Sequence, residues 1–377
     1  MNTGQFRTDI NGLRAYAVIL VVLFHFKVLG FSAGFLGVDV FFVISGYLMS
    51  KIIIEKMLNK KFSFSDFYLA RATRIVPALL FLVLVLSLLG WFIFIPEDFK
   101  NFAKDAKYSL MLLSNDLYYR QAGDYFAVNA HDKVLLHTWS LSVEWQFYII
   151  FPILIFLYFK IIQTSKYLGL FLLLLFTISL SLCIYISPRD SIFAFFKLST
   201  RAWELIAGGL TYYYFRQYHP SSKIKIGIEV FGFMLILISL ILFNNKTLWP
   251  SFYALVPVIG TMCILIANHQ KSIFTQAKII QRIGSASYSI YLWHWPIAFL
   301  LGYYLIEQNM INVGLAIGLS LILGWLSYKY IETARTLIIQ LKPRYGYILL
   351  LGSIGLLYPI YGYIAQDGVK SRASQFY

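Results

Sequence analysis

Charged residues are scarce in this sequence. Only 13% of its 377 residues are Asp, Glu, Lys or Arg, about half the usual share of roughly 25% in a soluble domain. Hydrophobic residues make up 59% and aromatics 18%, more apolar surface than a water-soluble enzyme of this length can bury. Cysteine is almost absent. Cys183 and Cys263 both lie inside apolar runs, which excludes a disulfide framework or a zinc site. The familiar local catalytic patterns are missing as well. There is no G-x-S-x-G elbow, no H-E-x-x-H, no P-loop and no Rossmann glycine run. Internal repeats, low-complexity stretches and a soluble domain are also lacking. The first apolar run begins after Leu13 and no small-residue cleavage pattern closes it, so the N-terminus does not read as a signal peptide. Acid is scarce relative to base, 17 residues against 32, for a net charge of +15. In a soluble protein that excess would suggest nucleic acid. Here the basic residues sit between apolar runs, as membrane orientation requires, so no nucleic-acid partner is expected.

What the chain does have is long apolar runs. A helical span needs roughly 17–25 such residues. Eleven runs satisfy this, near 15–29, 36–54, 75–95, 139–159, 167–186, 198–216, 226–243, 251–267, 286–305, 311–330 and 346–365. A further segment, 103–118, carries Lys104, Asp105, Lys107 and Asp116 and reads as an amphipathic helix in a long loop. With a cytoplasmic N-terminus, twenty basic residues fall on inner segments and ten on outer ones, five of the ten in one long loop. The expected architecture is therefore an all-α, polytopic membrane bundle of about eleven helices, N-terminus inside and C-terminus outside, with the lipid bilayer as its solvent. The expected division is a membrane domain over 1–335, then a further span and short outer tail over 336–377.

Ionisable groups inside spans are costly and therefore worth following individually. Arg14 and His25 lie eleven residues apart in the first span. On a helix that places them within about 20° of one face and roughly 16 Å apart, Arg14 at the cytoplasmic boundary and His25 beyond the midplane. Each also has a plain reading, as a snorkelling anchor and an interhelical hydrogen-bonding group. Asp39 enters the second span near the depth of His25 and could orient its imidazole. It could equally cap its own helix or bind Lys27. Arg71 and Arg74 close the inner loop 55–74 and share a helix face suited to gripping phosphates, or to anchoring. His137 is expected at the outer surface, and Glu144 about two turns deeper. Arg201 and Glu204 read most simply as a buried intrahelical ion pair, with a role in holding a sugar hydroxyl as the sharper alternative. Ser287 and Tyr288 lie at the cytoplasmic end of the ninth span and His294 two turns deeper. The inner group (Arg14, Arg71, Arg74, Ser287, Tyr288) would suit a phosphate-rich cytosolic ligand. The outer group (His25, Asp39, Glu144, Arg201, Glu204) would suit hydroxyl chemistry.

Six motifs carry a resemblance that covers the chain from about residue 5 to about 366. They are FRTDINGLRAYAVILVVLFHF, GFLGVDVFFVISGYL, FYLARATRIVPALL, HTWSLSVEWQFY, STRAWELIAGGL and SASYSIYLWHWPI. In this order they resemble the family-3 membrane acyltransferases, which include bacterial O-antigen and surface-glycan O-acetylases. The resemblance implies transfer of acetyl from acetyl-CoA to a hydroxyl of a surface carbohydrate, in a bacterial cytoplasmic membrane and without a metal. By motif, Arg14 and His25 match the family's paired functional residues, Arg71 and Arg74 its cytoplasmic arginine pair, and Glu144 the acid of its W-S-L-x-x-E motif. Ala334, in IETARTL, stands where the family usually has proline. The tail DGVKSRASQFY resembles the start of a linker to an outer esterase-like domain. On this reading Arg14, Arg71 and Arg74, with Ser287 and Tyr288, hold acetyl-CoA. His25 is general base with Asp39 or Glu144 behind it, or forms an acyl-enzyme. Arg201, Glu204, Trp139 and Trp145 face the acceptor. The rival reading is a proton-coupled transporter or flippase of a glycan precursor. It lacks the paired interrupted segments such proteins carry.

Overall fold

The computed structural model describes residues 6–121, 133–334 and 343–369; His131 and most of the tail after Asp367 lie outside them. Apolar chain that must satisfy its own backbone groups forms helix, and among the described residues there is no β-strand. In chain order the α-helices are α1 (Thr8–His25), α2 (Gly37–Leu58), α3 (Phe64–Ile93), α4 (Pro96–Leu110), α5 (Ser114–Arg120), α6 (Thr138–Ile162) and α7 (Leu168–Ile186). They continue with α8 (Ser191–Phe196), α9 (Leu198–Phe215), α10 (Ser222–Leu242), α11 (Leu255–Ala267), α12 (Lys278–Tyr303), α13 (Met310–Ser327) and α14 (Pro343–Asp367).

A helix occupies each of the eleven apolar runs, and eight are long and apolar enough to cross a membrane. The other three are α9, which carries Arg201 and Glu204; α11, with only 13 residues; and α12, whose sequence is rich in serine, tyrosine and tryptophan. One sequence expectation needs correction. The amphipathic segment 103–118 is two helices, α4 and α5, separated at Met111–Leu113, where Leu112 adopts a left-handed φ of 54°. Arg71 and Arg74 lie on one helix, as their spacing predicts: Ser63 caps Asp66 N–H at 3.2 Å, so α3 starts at Phe64 and runs through both arginines.

The chain divides into two compact units. The first comprises 1–62 and 146–287, and the second 63–145 and 288–377.

In the first unit the backbones of α2 and α9 approach so closely that only glycine is tolerated at the crossing. A Cβ on Gly46 would strike the Leu205 carbonyl, and one on Gly208 the Val43 carbonyl and Tyr47 backbone nitrogen. This is small-residue packing of the kind that joins helices in lipid. On the other side of α9, the Ser179 hydroxyl of α7 donates to the Ser199 carbonyl at 2.7 Å and accepts from Trp203 N–H at 3.0 Å. The entry to α1 is clamped by Arg7. Its guanidinium pairs with Asp9 at 2.5 Å, donates to Tyr47 Oη at 3.0 Å and to the Leu265 carbonyl at 3.1 Å. Gln270 Nε2 completes the clamp by donating to Asp9 at 2.7 Å.

In the second unit α14 lies against α3 and α4. Ser87 and Tyr361 share a hydrogen bond of 2.5 Å, and Lys107 Nζ stands 4.6 Å over the Tyr358 ring. Hydroxyl pairs tie α4 and α5 to the start of α6: Ser109 to Thr138 and Ser114 to Ser142, both at 2.8 Å. Beside them Asp105 is buried. Loss of hydration pushes its carboxyl up to about 7, against the pull of the nearby Lys133 ammonium.

Two measurements check this packing. Gly46→Leu and Gly208→Leu should each destabilise the detergent-purified protein by about 1–3 kcal/mol or more, as overpacking does. Gly352→Ala on α14, where a Cβ meets nothing within 4 Å, should leave thermal unfolding unchanged or raise its midpoint. Asp105 gives a pH test. Its folded-state value is raised, so the folded protein holds the extra proton. Its contribution to stability is full below about pH 4 and declines as pH rises towards 7, by roughly 4 kcal/mol at about 1.4 kcal/mol per unit. Asp105→Asn should remove that decline from the unfolding curve; an unchanged pH slope would contradict it.

Candidate active site

The first unit carries Arg14 and His25 on one uninterrupted helix, α1. The helical rise sets their separation along the axis at about 16 Å, on a common face. The face is fixed because α1 is tightly seated: a Cβ on Gly37, at the start of α2, would strike the Ala17 carbonyl. His25 is the last residue of α1 and is 8% exposed. Its ring lies 5.0 Å from Phe24. From there a line of aromatic rings continues through Phe35 at 5.4 Å to Trp249 at 5.1 Å.

Trp249 leads to the most demanding feature of the unit. Its indole N–H donates to Asp39 Oδ2 at 3.2 Å. Asp39 Oδ1 lies 3.0 Å from Arg201 Nη1, and Glu204 Oε1 lies 2.9 Å from the same nitrogen. All three charged side chains have at most 1% of their surface exposed. The guanidinium also packs 5.4 Å from the Phe42 ring and 5.6 Å from Phe195. The i,i+3 ion pair expected from the sequence forms, and Asp39 joins it from α2. Asp39 is thus held by Arg201 and Trp249, and its described path to His25 runs through three aromatic rings. The glycine crossing explains the arrangement. With α2 and α9 in backbone contact, Asp39 in the first turn of α2 and Arg201 in the first turn of α9 meet at one depth. Ser287 is fully buried, and among the described residues its hydroxyl has no hydrogen-bond partner.

The second unit carries the remaining candidates. Tyr288 Oη donates to the Ile75 carbonyl of α3 at 2.7 Å, one residue beyond Arg74. The charges of Glu332, Glu144 and Arg74 all act on that tyrosine. Glu332 was not identified from the sequence. It is buried in a π-helical turn, Tyr328–Glu332, and accepts a 3.0 Å hydrogen bond from Ser289. An acidic residue closing a run of otherwise apolar helix was the available signal. Trp139 is buried and Trp145 half-buried.

His137 is not at an exposed surface. It is completely buried, with its ring 5.5 Å from Tyr291, 5.8 Å from His294 and 6.5 Å from Trp295. Tyr291 Oη, bridging to Ser140 at 2.7 Å, donates to the His137 carbonyl at 2.9 Å. The Trp295 indole donates to the Lys133 carbonyl at 2.9 Å. The turn before α6 is folded under α12 by these bonds, which covers the imidazole. Among the described residues no group of three or more His, Cys, Asp or Glu is placed to hold a metal ion.

The charge cluster makes a direct prediction. Arg201→Met leaves two buried carboxylates facing each other and should destabilise the protein by about 3–5 kcal/mol. Combining it with Asp39→Asn and Glu204→Gln should restore much of the loss, read as thermal unfolding in detergent. A single Arg201→Met variant melting at the parental temperature would contradict the reading.

Comparison with known proteins completes the picture. Residues 7–329 match the family described as an acyltransferase domain. The O-acetyltransferase OatA of Staphylococcus aureus is 32% identical over 349 residues, covering 88% of this chain and 58% of that protein. The peptidoglycan O-acetyltransferase OatA of Listeria monocytogenes is 31% identical over 348 residues, covering 86% and 55%. The chain thus spans a little over half the length of these curated relatives. No solved structure matches. With apolar spans, helices as the only regular structure among its described residues and a family match from residue 7 to 329, the chain belongs to the family-3 membrane acyltransferases.

Proposed function

We propose that this chain is the membrane part of an O-acetyltransferase that uses cytosolic acetyl-CoA to acetylate a hydroxyl of a cell-surface glycan. In this reading the bundle has eleven spans, a cytoplasmic N-terminus and an outward C-terminus, in a bacterial cytoplasmic membrane. One observation carries the reading. A permanent cation and a buried imidazole, Arg14 and His25, stand eleven residues apart on one face of α1. That spacing suits a ligand with a polyanionic head and a long, neutral arm ending in a reactive carbonyl.

The chain's residues divide the work accordingly. Arg14, Arg71 and Arg74 supply charge-assisted hydrogen bonds to phosphate oxygens, for which the planar guanidinium is well shaped. Ser287 offers a buried hydroxyl and Tyr288 a phenol along the same helix. His25 takes the proton of the acceptor hydroxyl through its imidazole nitrogen as general base. The hydroxyl oxygen then bonds to the acetyl carbonyl carbon, the carbon–sulfur bond breaks, and the departing thiolate recovers the proton from the imidazolium. Asp39, Arg201 and Glu204 act as positioning residues, holding the wall of rings against His25. Glu144 supplies negative charge in the second unit, and the half-buried Trp145 offers aromatic surface for a sugar, whereas Trp139 is buried and leaves none. Peptidoglycan, named for the Listeria relative, is the first acceptor class to assay. O-antigen polysaccharide is the second.

The test is transfer of labelled acetyl by the full-length protein in membrane vesicles. His25→Ala should lower the rate by about 10²–10⁴-fold, the usual contribution of a general base, with acetyl-CoA binding retained. Arg71→Ala and Arg74→Ala should raise KM for acetyl-CoA more than they lower kcat. An active His25→Ala enzyme would overturn the assignment.

A further inference from the structure

The first turns of α1 are gripped by the segment that leads into α12. Gln281, in the first turn of α12, engages every polar atom of its side chain there. Its Nε2 donates to the Thr8 carbonyl at 2.8 Å and to the Thr275 carbonyl at 2.7 Å. In return Asn11 Nδ2 donates to the Gln281 backbone carbonyl at 2.8 Å and to Gln281 Oε1 at 3.0 Å, with Ser285 Oγ at 3.3 Å. The chains also touch directly. A Cβ on Gly284 would strike the Asn11 carbonyl, and one on Gly12 the Thr275 side chain. Asn11 is buried by these contacts.

Capping does not account for this tie. A helix start has spare N–H donors and needs acceptors. Gln281 instead donates to α1, and Asn11 donates away from it. What the four groups fix is how α1 is turned and how far it is seated against α12. Arg14 follows Asn11 by three residues, about 4.5 Å along the axis and about 60° round it. A turn or slide of α1 at Asn11 therefore carries the guanidinium with it. Charge-assisted hydrogen bonds are short and directional, so they tolerate little displacement. We infer, on the reading of Arg14 as a phosphate grip, that Gln281 is a positioning residue that acts through Asn11 on Arg14 and so sets the affinity for the acyl donor. The same tie joins α1 to the helix that carries Ser287, so one glutamine holds together two elements of the proposed donor site.

The experiment is a double-mutant cycle on acetyl-CoA binding, measured by isothermal titration calorimetry on the full chain in detergent. Arg14→Ala should weaken binding about tenfold and Gln281→Met by a similar factor, the effect of one charge-assisted hydrogen bond lost or misplaced. The double variant should bind no more weakly than Arg14→Ala alone, because the glutamine then has nothing left to position. A merely structural role would weaken binding by the same factor in both backgrounds. Asn11→Ala, which touches neither bond from Gln281 Nε2, should weaken binding severalfold. It carries the same cycle if size-exclusion chromatography shows that Gln281→Met does not fold. Unchanged affinity in Gln281→Met and Asn11→Ala, or factors that multiply in the double variant, overturns the inference and leaves the reading of Arg14 intact. Unchanged affinity in Arg14→Ala overturns that reading, and the inference with it.

Discussion

Charge has to be neutralised inside the protein wherever lipid replaces water, and this constraint organises the first unit. Asp39, Arg201 and Glu204 are completely withdrawn from solvent, so each would be very costly alone. Their mutual contacts fix the depth at which α2 and α9 meet. The glycines at the crossing let the two backbones touch, and Arg201 reaches Asp39 across it. The cluster and the crossing thus support each other. Such an arrangement adds less to stability than hydrocarbon of equal volume would. Its value is in specifying one register of two helices that apolar packing alone would let slide.

That register reaches the candidate chemistry through aromatic packing. Trp249 ties its indole N–H to Asp39 and lays its ring against Phe35, which meets Phe24, which meets His25. A general base must be held in orientation by its surroundings to work efficiently; under the role proposed for His25, a wall of rings anchored on a buried ion cluster would supply part of that support. In the second unit Tyr288 ties α12 to the Ile75 carbonyl of α3, and its neighbour Ser289 donates to the buried Glu332. The two units each bring together polar residues that lie far apart in sequence.

Helix content and the location of every apolar run were legible in the sequence, because hydropathy in lipid is a strong and local signal. The spacing of Arg14 and His25 was legible for the same reason: both lie on one helix, where geometry follows from counting. The Arg201–Glu204 pair was legible as i,i+3 neighbours. Asp39 joining them was not, since it depends on which helices cross and at what height. Gly46 and Gly208 mark that crossing, yet each resembles any glycine in a span until its partner is known. The burial of His137 was missed because a histidine preceding a span reads as interfacial. Only the bonds from Tyr291 and Trp295, some 150 residues later in the chain, fold it inward. The break at Met111–Leu113 was missed because a mixed polar segment gives no sharp stop signal. Arg7, Asp9 and Gln270 escaped notice because polar residues at a span boundary need no special explanation.

In the proposed function α1 acts as a ruler between a phosphate grip at Arg14 and a base at His25. The most direct measurement is a cryo-electron microscopy structure of the full chain with an acetyl-CoA analogue whose thioester sulfur is replaced by methylene. The account predicts the nucleotide phosphates on Arg14, with the arm running along α1. The ligand carbonyl should lie within roughly 6 Å of His25, room for one hydroxyl between base and carbonyl carbon. An analogue bound with its carbonyl distant from His25, or with its phosphates away from Arg14, would contradict it.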